Sequence, residues 1–277
     1  MAYNFNIIPS SATSIDYWAF TNFRGDINVD AKSKFLSSVD GVLFDKTKTK
    51  LFRCPISKTG IYSLPTTVTY IGHAAFYGCR DLTSIILSPS LMSIIDYAFI
   101  DCGGLTSINI PASVRSIGLS IFDRRSNFNI IIETADGVLF DEDKTRLMIC
   151  STLKTGSYTI PSTVTSIDPY AFYSCKNITT ISIPSSVSTI GESAFAMCVG
   201  LTGTLIIPSS VTKIENGTFE GCDFTSVILP KTITSIGEWA FISNNNNTLI
   251  GNVSWICFFW LFGINIYICQ FSYSNLY

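Results

Sequence analysis

The residues with most chemistry to offer in this 277-residue chain are nine cysteines, one histidine and a run of three acids. Zinc is held by close-spaced pairs of Cys or His. A nucleophilic thiol needs a base beside it and an acid to orient that base. The chain has no Cys-x-x-Cys, and His73 has no second histidine to join it, so neither a metal ligand nor a catalytic residue is expected. Asp141, Glu142 and Asp143 have the density of a calcium loop, yet no glycine stands at its turn, no glutamate closes it, and the matching loop keeps only Asp45. Lys58-Thr59-Gly60 and Lys154-Thr155-Gly156 have the wording of a serine acyl-transfer motif, but that site also needs a Ser-x-x-Lys and Ser-Asp-Asn set, which is not present. No glycine-rich phosphate loop leads from a strand into a helix, so no cofactor is expected.

The cysteines instead mark a period. Cys79, Cys102, Cys175, Cys198 and Cys222 fill one slot of a unit written I-P-x-x-V-x-x-I-G-x-x-A-F-x-x-C-x-x-L-T-S-I-x, which makes them small packing residues. Copies begin at Ile8, Leu64, Leu87, Ile110, Ile160, Ile183, Ile207 and Leu229, and Pro161, Pro184, Pro208 and Pro230 are 23, 24 and 22 residues apart. A repeat of this length predicts a solenoid, because one such coil cannot bury enough on its own and must stack on its neighbours. Proline ends one strand, and the Val187-x-x-Ile190 pair makes a short second strand. Gly191 is expected to take a positive φ at the corner, and Ile95 in the same slot to distort its coil. The segment "SAFAMC" reads as a single helical or 3₁₀ turn seating Phe195. The "LTSIxI" segment alternates inward and outward as a strand.

Two intervals break the period, from Pro9 to Pro65 and from Pro111 to Pro161. Both hold a shared module, "DGVLFDKTKTKLFRCPISKTG" from Asp40 and "DGVLFDEDKTRLMICSTLKTG" from Asp136, placed 96 residues apart. Val-Leu-Phe and Leu-x-x-Cys flank a polar turn in each, which predicts inserted β-hairpins near residues 39–63 and 135–159. The fold class is thus a β-rich solenoid over residues 1–242, with short helical turns and two hairpin inserts.

The wording "IPSSVTSIG..AF..C..LTSI.IP" resembles the BspA-like class of leucine-rich repeat proteins, known from bacterial surface antigens and expanded in parasitic protists. The resemblance covers roughly residues 6 to 242. It implies a leucine-rich-repeat coil used for adhesion or other protein–protein contact, without enzymatic activity, and a host or extracellular-matrix protein as the kind of partner. It carries over no catalytic residue, because the repeat motif contains none.

Charge and tail bound the rest. With 18 basic against 20 acidic side chains no global field attracts nucleic acid, so no nucleic-acid partner is expected. The start of the chain has no basic n-region and no apolar h-region, which alone points to the cytoplasm. Sequons at Asn177, Asn216, Asn246 and Asn252 do not decide location. Protein contact is expected on the outward residues of the "LTSIxI" strands: Ser84 and Ile86, Ser107 and Asn109, Thr180 and Ser182, Thr204 and Ile206, Ser226 and Ile228. After Phe241 the repeat is expected to stop at an Asn-rich linker, 243–248, and residues 249–269 carry no charge. That run has the length of a membrane span; a reading-frame slip at the Asn run and a hydrophobic cap are the other two readings. The expected location is the membrane or cell surface, with the cytoplasm as the alternative.

Overall fold

Coil stacking begins at the proline. In all copies but the one beginning at Leu87, where Ser88 takes the role, the proline carbonyl accepts the amide of the residue three on, as from Val68 to Pro65, Val114 to Pro111, Val187 to Pro184 and Val211 to Pro208, which makes a tight turn. That turn drives the valine inward, and all four of these valines are fully buried. The computed structural model describes residues 7–118, 120–122 and 128–242, together with the backbone of 248–251. The chain forms two compact units, Met1–Leu139 and Phe140–Tyr277, and the described residues of each are stacked as a β-solenoid.

In the first unit the short strands Tyr70–Ile71, Ser93–Ile94 and Ser116–Ile117 stack in parallel, each residue on its counterpart in the next coil. The long strands pair likewise, Gly60–Ser63 with Leu82–Ile86 and Ser107–Ile110 with Asn129–Ile132. The insert is a three-stranded antiparallel meander, Leu36–Val39, Val42–Asp45 and Lys50–Arg53, whose last strand continues the parallel row at Tyr70–Ile71. Its outermost strand, Leu36–Val39, adds to the two that the sequence predicts. Asp40 and Gly41 turn between strands with φ of 49° and 75°, the two-residue geometry that matches the twist of a hairpin.

The second unit repeats the scheme. Arg146–Cys150, Ser166–Ile167 and Thr189–Ile190 form one row. On the other side Gly156–Thr159 pairs with Ile178–Ser182, and Thr204–Ile206 pairs with Ser226–Leu229. The repeat does not stop at Phe241: Thr248–Gly251 adds a further parallel strand on Ser226–Leu229, 22 residues along and in register. The remainder of the apolar run 249–269 lies outside the described residues. Among the described residues no helix is long and apolar enough to cross a membrane.

The corner holds the main departure from the sequence reading. No helical turn forms over "SAFAMC". Ala194, Ala196 and Cys198 donate their amides three residues back, to Gly191, Ser193 and Phe195, while the alternate amides of Ser193, Phe195 and Met197 donate to Asn216, Thr218 and Glu220 of the next coil. A helix would keep every amide within the segment; here every second one is spent on stacking. The first unit does the same, with Ala74, Phe76 and Gly78 donating to Asp96, Ala98 and Ile100. Reversing the chain this way puts Ser193 and Met197 at φ of 51° and 61°.

Gly191 is therefore not the positive-φ residue. Its slot is one of close approach: a Cβ there would fall 2.8 Å from the Asp168 carbonyl carbon and nearer still to Pro169 N. Nor does Ile95 distort its coil. Its amide donates to Ile71 at 3.0 Å, the bond that Gly118 makes to Ile94 and Gly191 to Ile167.

Between the two rows of strands run stacked phenylalanines. Phe76 and Phe99 lie 5.3 Å apart at 15° in the first unit; Phe172, Phe195 and Phe219 follow at 4.8 and 5.3 Å and 10° and 9° in the second. These separations are close to the strand spacing of a sheet, so coil stacking itself sets the rings in offset contact. Phe195→Ala is expected to lower the unfolding free energy by about 3 to 5 kcal/mol in denaturant titration, the usual cost of emptying a buried aromatic site. Gly191→Ala should cost about 1 to 3 kcal/mol by overpacking. Gly103→Ala, with open space at its Cβ position, should change stability by less than about 0.5 kcal/mol.

Candidate functional site

The cysteine slot is packing, with one polar task. Cys54, Cys79 and Cys102 in the first unit and Cys150, Cys175, Cys198 and Cys222 in the second are all buried free thiols. Cys102 Sγ lies 3.1 Å from the Phe76 carbonyl, Cys198 Sγ 2.9 Å from that of Phe172, and Cys222 Sγ 3.1 Å from that of Phe195. Each thiol thus donates to the carbonyl of the stacked phenylalanine one coil back. Burial, and then the neighbouring Cys150 and Cys222 thiols respectively, push Cys175 and Cys198 well above the ordinary thiol range. They stay protonated, which suits a donor and disarms a nucleophile. Among the described residues no cluster of three His, Cys, Asp or Glu side chains could hold a metal.

The acids of the hairpin loops close their own turns. Asp45 accepts the amides of Thr49 and Lys50 at 2.7 and 2.8 Å and the hydroxyls of Thr47 and Thr49 at 2.6 and 2.8 Å. Asp141 repeats the pattern with the amides of Thr145 and Arg146 at 2.8 and 2.9 Å. Burial alone would raise both carboxyls, but the donors around them together outweigh it and hold both below the usual carboxylate value. In the Lys-Thr-Gly turns, Lys58 and Lys154 lie over the rings of Tyr62 and Tyr158, at 5.5 and 4.5 Å, as cation–π contacts. Asp168 differs: burial pushes its carboxyl up to about 6 against the pull of Arg146, 3.0 Å away.

The predicted contact residues stand at the outward positions of the long strands. In the first unit Ser84 is half-buried and Ile86 exposed, and their strand pairs with that of Ile61, which is 70% exposed. Ser107 and Asn109 pair with Asn129 and Ile131 on the neighbouring strand. In the second unit Thr180 and Ser182 are exposed and pair with Ser157 and Thr159. Thr204 and Ser226 bring their hydroxyls to 2.7 Å, and Ile206 and Ile228 lie side by side, 62% and 40% exposed. Each unit therefore carries a face of small hydroxyls, joined in the first by the amides of Asn109 and Asn129, and interrupted by solvent-facing isoleucines.

A second feature escaped the sequence reading. His73 sits within a cluster of rings, 4.3 Å from Tyr17, 5.3 Å from Trp18 and 5.3 Å from Tyr97. Beside it Arg53 is 2% exposed. The signal for Arg53 was the second copy of the insert, which has Ile149 in the same place.

Residues 53–136 and 148–248 match the family model described as the BspA type leucine-rich repeat region, in six copies. A leucine-rich cell surface protein from Faecalibacterium prausnitzii A2-165 is 25% identical with a TM-score of 0.51, over 71% of this chain and 60% of that one. The pneumococcal vaccine antigen PcpA is 24% identical with a TM-score of 0.58, over 88% of this chain and 64% of that one. The match thus spans less than two thirds of the length of either structure. No curated protein matches the chain.

The loop acids carry a pH signature. A depressed folded pKa adds stability that is present above the unfolded value near 3.8 and is lost as pH falls through the folded value. Asp45→Ala and Asp141→Ala should each destabilise by about 1 kcal/mol at neutral pH, as when a carboxylate that caps backbone amides is removed. Thermal melts at a series of pH values should show the gap from the parent chain closing below that unfolded value.

Proposed function

This chain belongs to the BspA-type leucine-rich repeat family, and on that footing we propose that it serves as a non-enzymatic scaffold for protein–protein contact at a cell surface. The single observation that carries the reading is the exposure of Ile61, Ile86, Ile206 and Ile228 among small hydroxyls on the long-strand faces. A solvated sheet gains nothing from isoleucine in those positions, whereas a broad protein contact buries it. Flat rows of short side chains also suit a protein surface better than a small molecule, which needs a concavity. The surface location draws on the family and on a similar structure that is named as a cell surface protein. The partner is a host or extracellular-matrix protein.

The full-length chain should bind immobilised extracellular-matrix proteins or intact host cells in a saturable way. Ile86→Lys and Ile206→Lys, each placing a charge where an aliphatic anchor stood, should weaken that binding about tenfold or more. Because both side chains are exposed, their melting temperatures should match the parent. Equal binding by the charged variants would remove these faces from the reading. A full-length chain that antibodies cannot reach on intact cells would remove its surface location.

A further inference from the structure

The first unit contains a buried charge that the repeat does not need. The two inserts align residue for residue at an offset of 96, and the alignment puts Arg53 against Ile149 and His73 against Pro169. Ile149 is an ordinary core residue at 6% exposure; Arg53 is buried more deeply still, at 2%. Its guanidinium donates through NH1 to the Ala74 carbonyl and through NH2 to the Tyr77 carbonyl at 3.0 Å, while its Nε has no acceptor. The ionisable groups acting on it are the Cys54, Cys79 and Cys102 thiols and the Tyr77 hydroxyl, none of them a carboxylate. A buried cation without an anion is costly, and a departure from the repeat that costs stability marks a site with a task.

Arg53 lines a partly open cavity of about 180 Å³. Its other walls include Tyr17, Phe20, Phe52, Tyr70 and His73, whose Nδ1 is likewise buried without a partner. An apolar cavity of about 150 Å³ holds one benzene ring, so this one has room for a ring with a small substituent. Lys50 stands over the Tyr70 ring at 5.7 Å and adds positive charge on that side. Asp16 also borders the cavity, and although one of its carboxylate oxygens accepts the Trp18 amide at 2.9 Å it keeps its negative charge, which a bound anion must sit away from, on the Arg53 and Lys50 side.

We propose that this cavity binds a small organic anion bearing a single ring, a monocarboxylate of benzoate size. The carboxylate takes the free Nε–H of Arg53 and lies beside His73, and the ring occupies the aromatic walls. The site is separate from the long-strand faces and stands or falls independently of them.

The probe is sodium benzoate, titrated calorimetrically into the full-length chain, with acetate and benzylamine as controls for the ring and for the charge. Binding should saturate at one benzoate per chain, with both controls at least about tenfold weaker. Arg53→Ile, which installs the residue already tolerated at 149, should weaken benzoate about ten- to a hundredfold, the usual worth of a hydrogen bond to a charged group. Tyr17→Ala, at an exposed wall, provides a second variant that does not touch the core and should weaken benzoate about tenfold. The proposal is overturned by no saturable binding up to the solubility of the probe, by either control matching benzoate, or by benzoate affinity unchanged in the two variants.

Discussion

The alternation of amides at the corner is the constraint from which the rest of each unit follows. Ser193, Phe195 and Met197 have no acceptor in their own coil and find one only in the next. A buried amide left without a partner costs about as much as a lost hydrogen bond, so a coil of this kind is incomplete until it is stacked. Stacking at strand spacing then dictates what can fill the interior. A flat ring is repeated at each level, a small thiol donates to the carbonyl one coil back, and a valine is pushed in by the proline turn. Gly191 belongs to the same account, since its coil approaches Asp168 and Pro169 of the coil before closely enough that a Cβ on it would collide with backbone.

Much of this was legible because a period repeats its own evidence. The phenylalanine and cysteine slots, the proline turn and the inserted hairpin each recur, and each recurrence points to the same side of the coil. What was not legible depends on the neighbouring coil rather than on the local chain. "SAFAMC" has a helix-compatible composition, and its intra-coil bonds, three residues back, are those of a tight helical turn. The alternate amides, bonded 22 or 23 residues away in sequence, and the positive φ they impose at Ser193 and Met197 exclude it. Gly191 was read for the freedom of its own φ, whereas its reason lies across the gap in Asp168 and Pro169. The strand Thr248–Gly251 was missed because the Asn run before it hides the period, yet its pairing register shows that the count of 22 is kept.

The candidate sites divide along the same line. The outward residues of the long strands could be named from alternation alone, because a strand fixes which side chains face out. Arg53 and His73 could not, since aligning repeats draws the eye to what is shared and both residues are departures. Their partners are also remote in sequence: Tyr17 comes from the divergent first coil, Phe52 and Arg53 from the insert, and Tyr70 from the next coil. A solenoid thus offers two kinds of place for function, the faces that the period leaves free and the points where one coil breaks the rule of the others.

The central claim is that stacking, and not local turn formation, holds each coil. Native-state hydrogen exchange read by NMR tests it most directly. The account predicts that the amides of Ser193, Phe195 and Met197 exchange as slowly as those of Ala194, Ala196 and Cys198, both sets opening only when the second unit opens as a whole. If the first three exchanged through fast local openings while the other three stayed protected, the corner would be a self-sufficient turn and the account would be wrong.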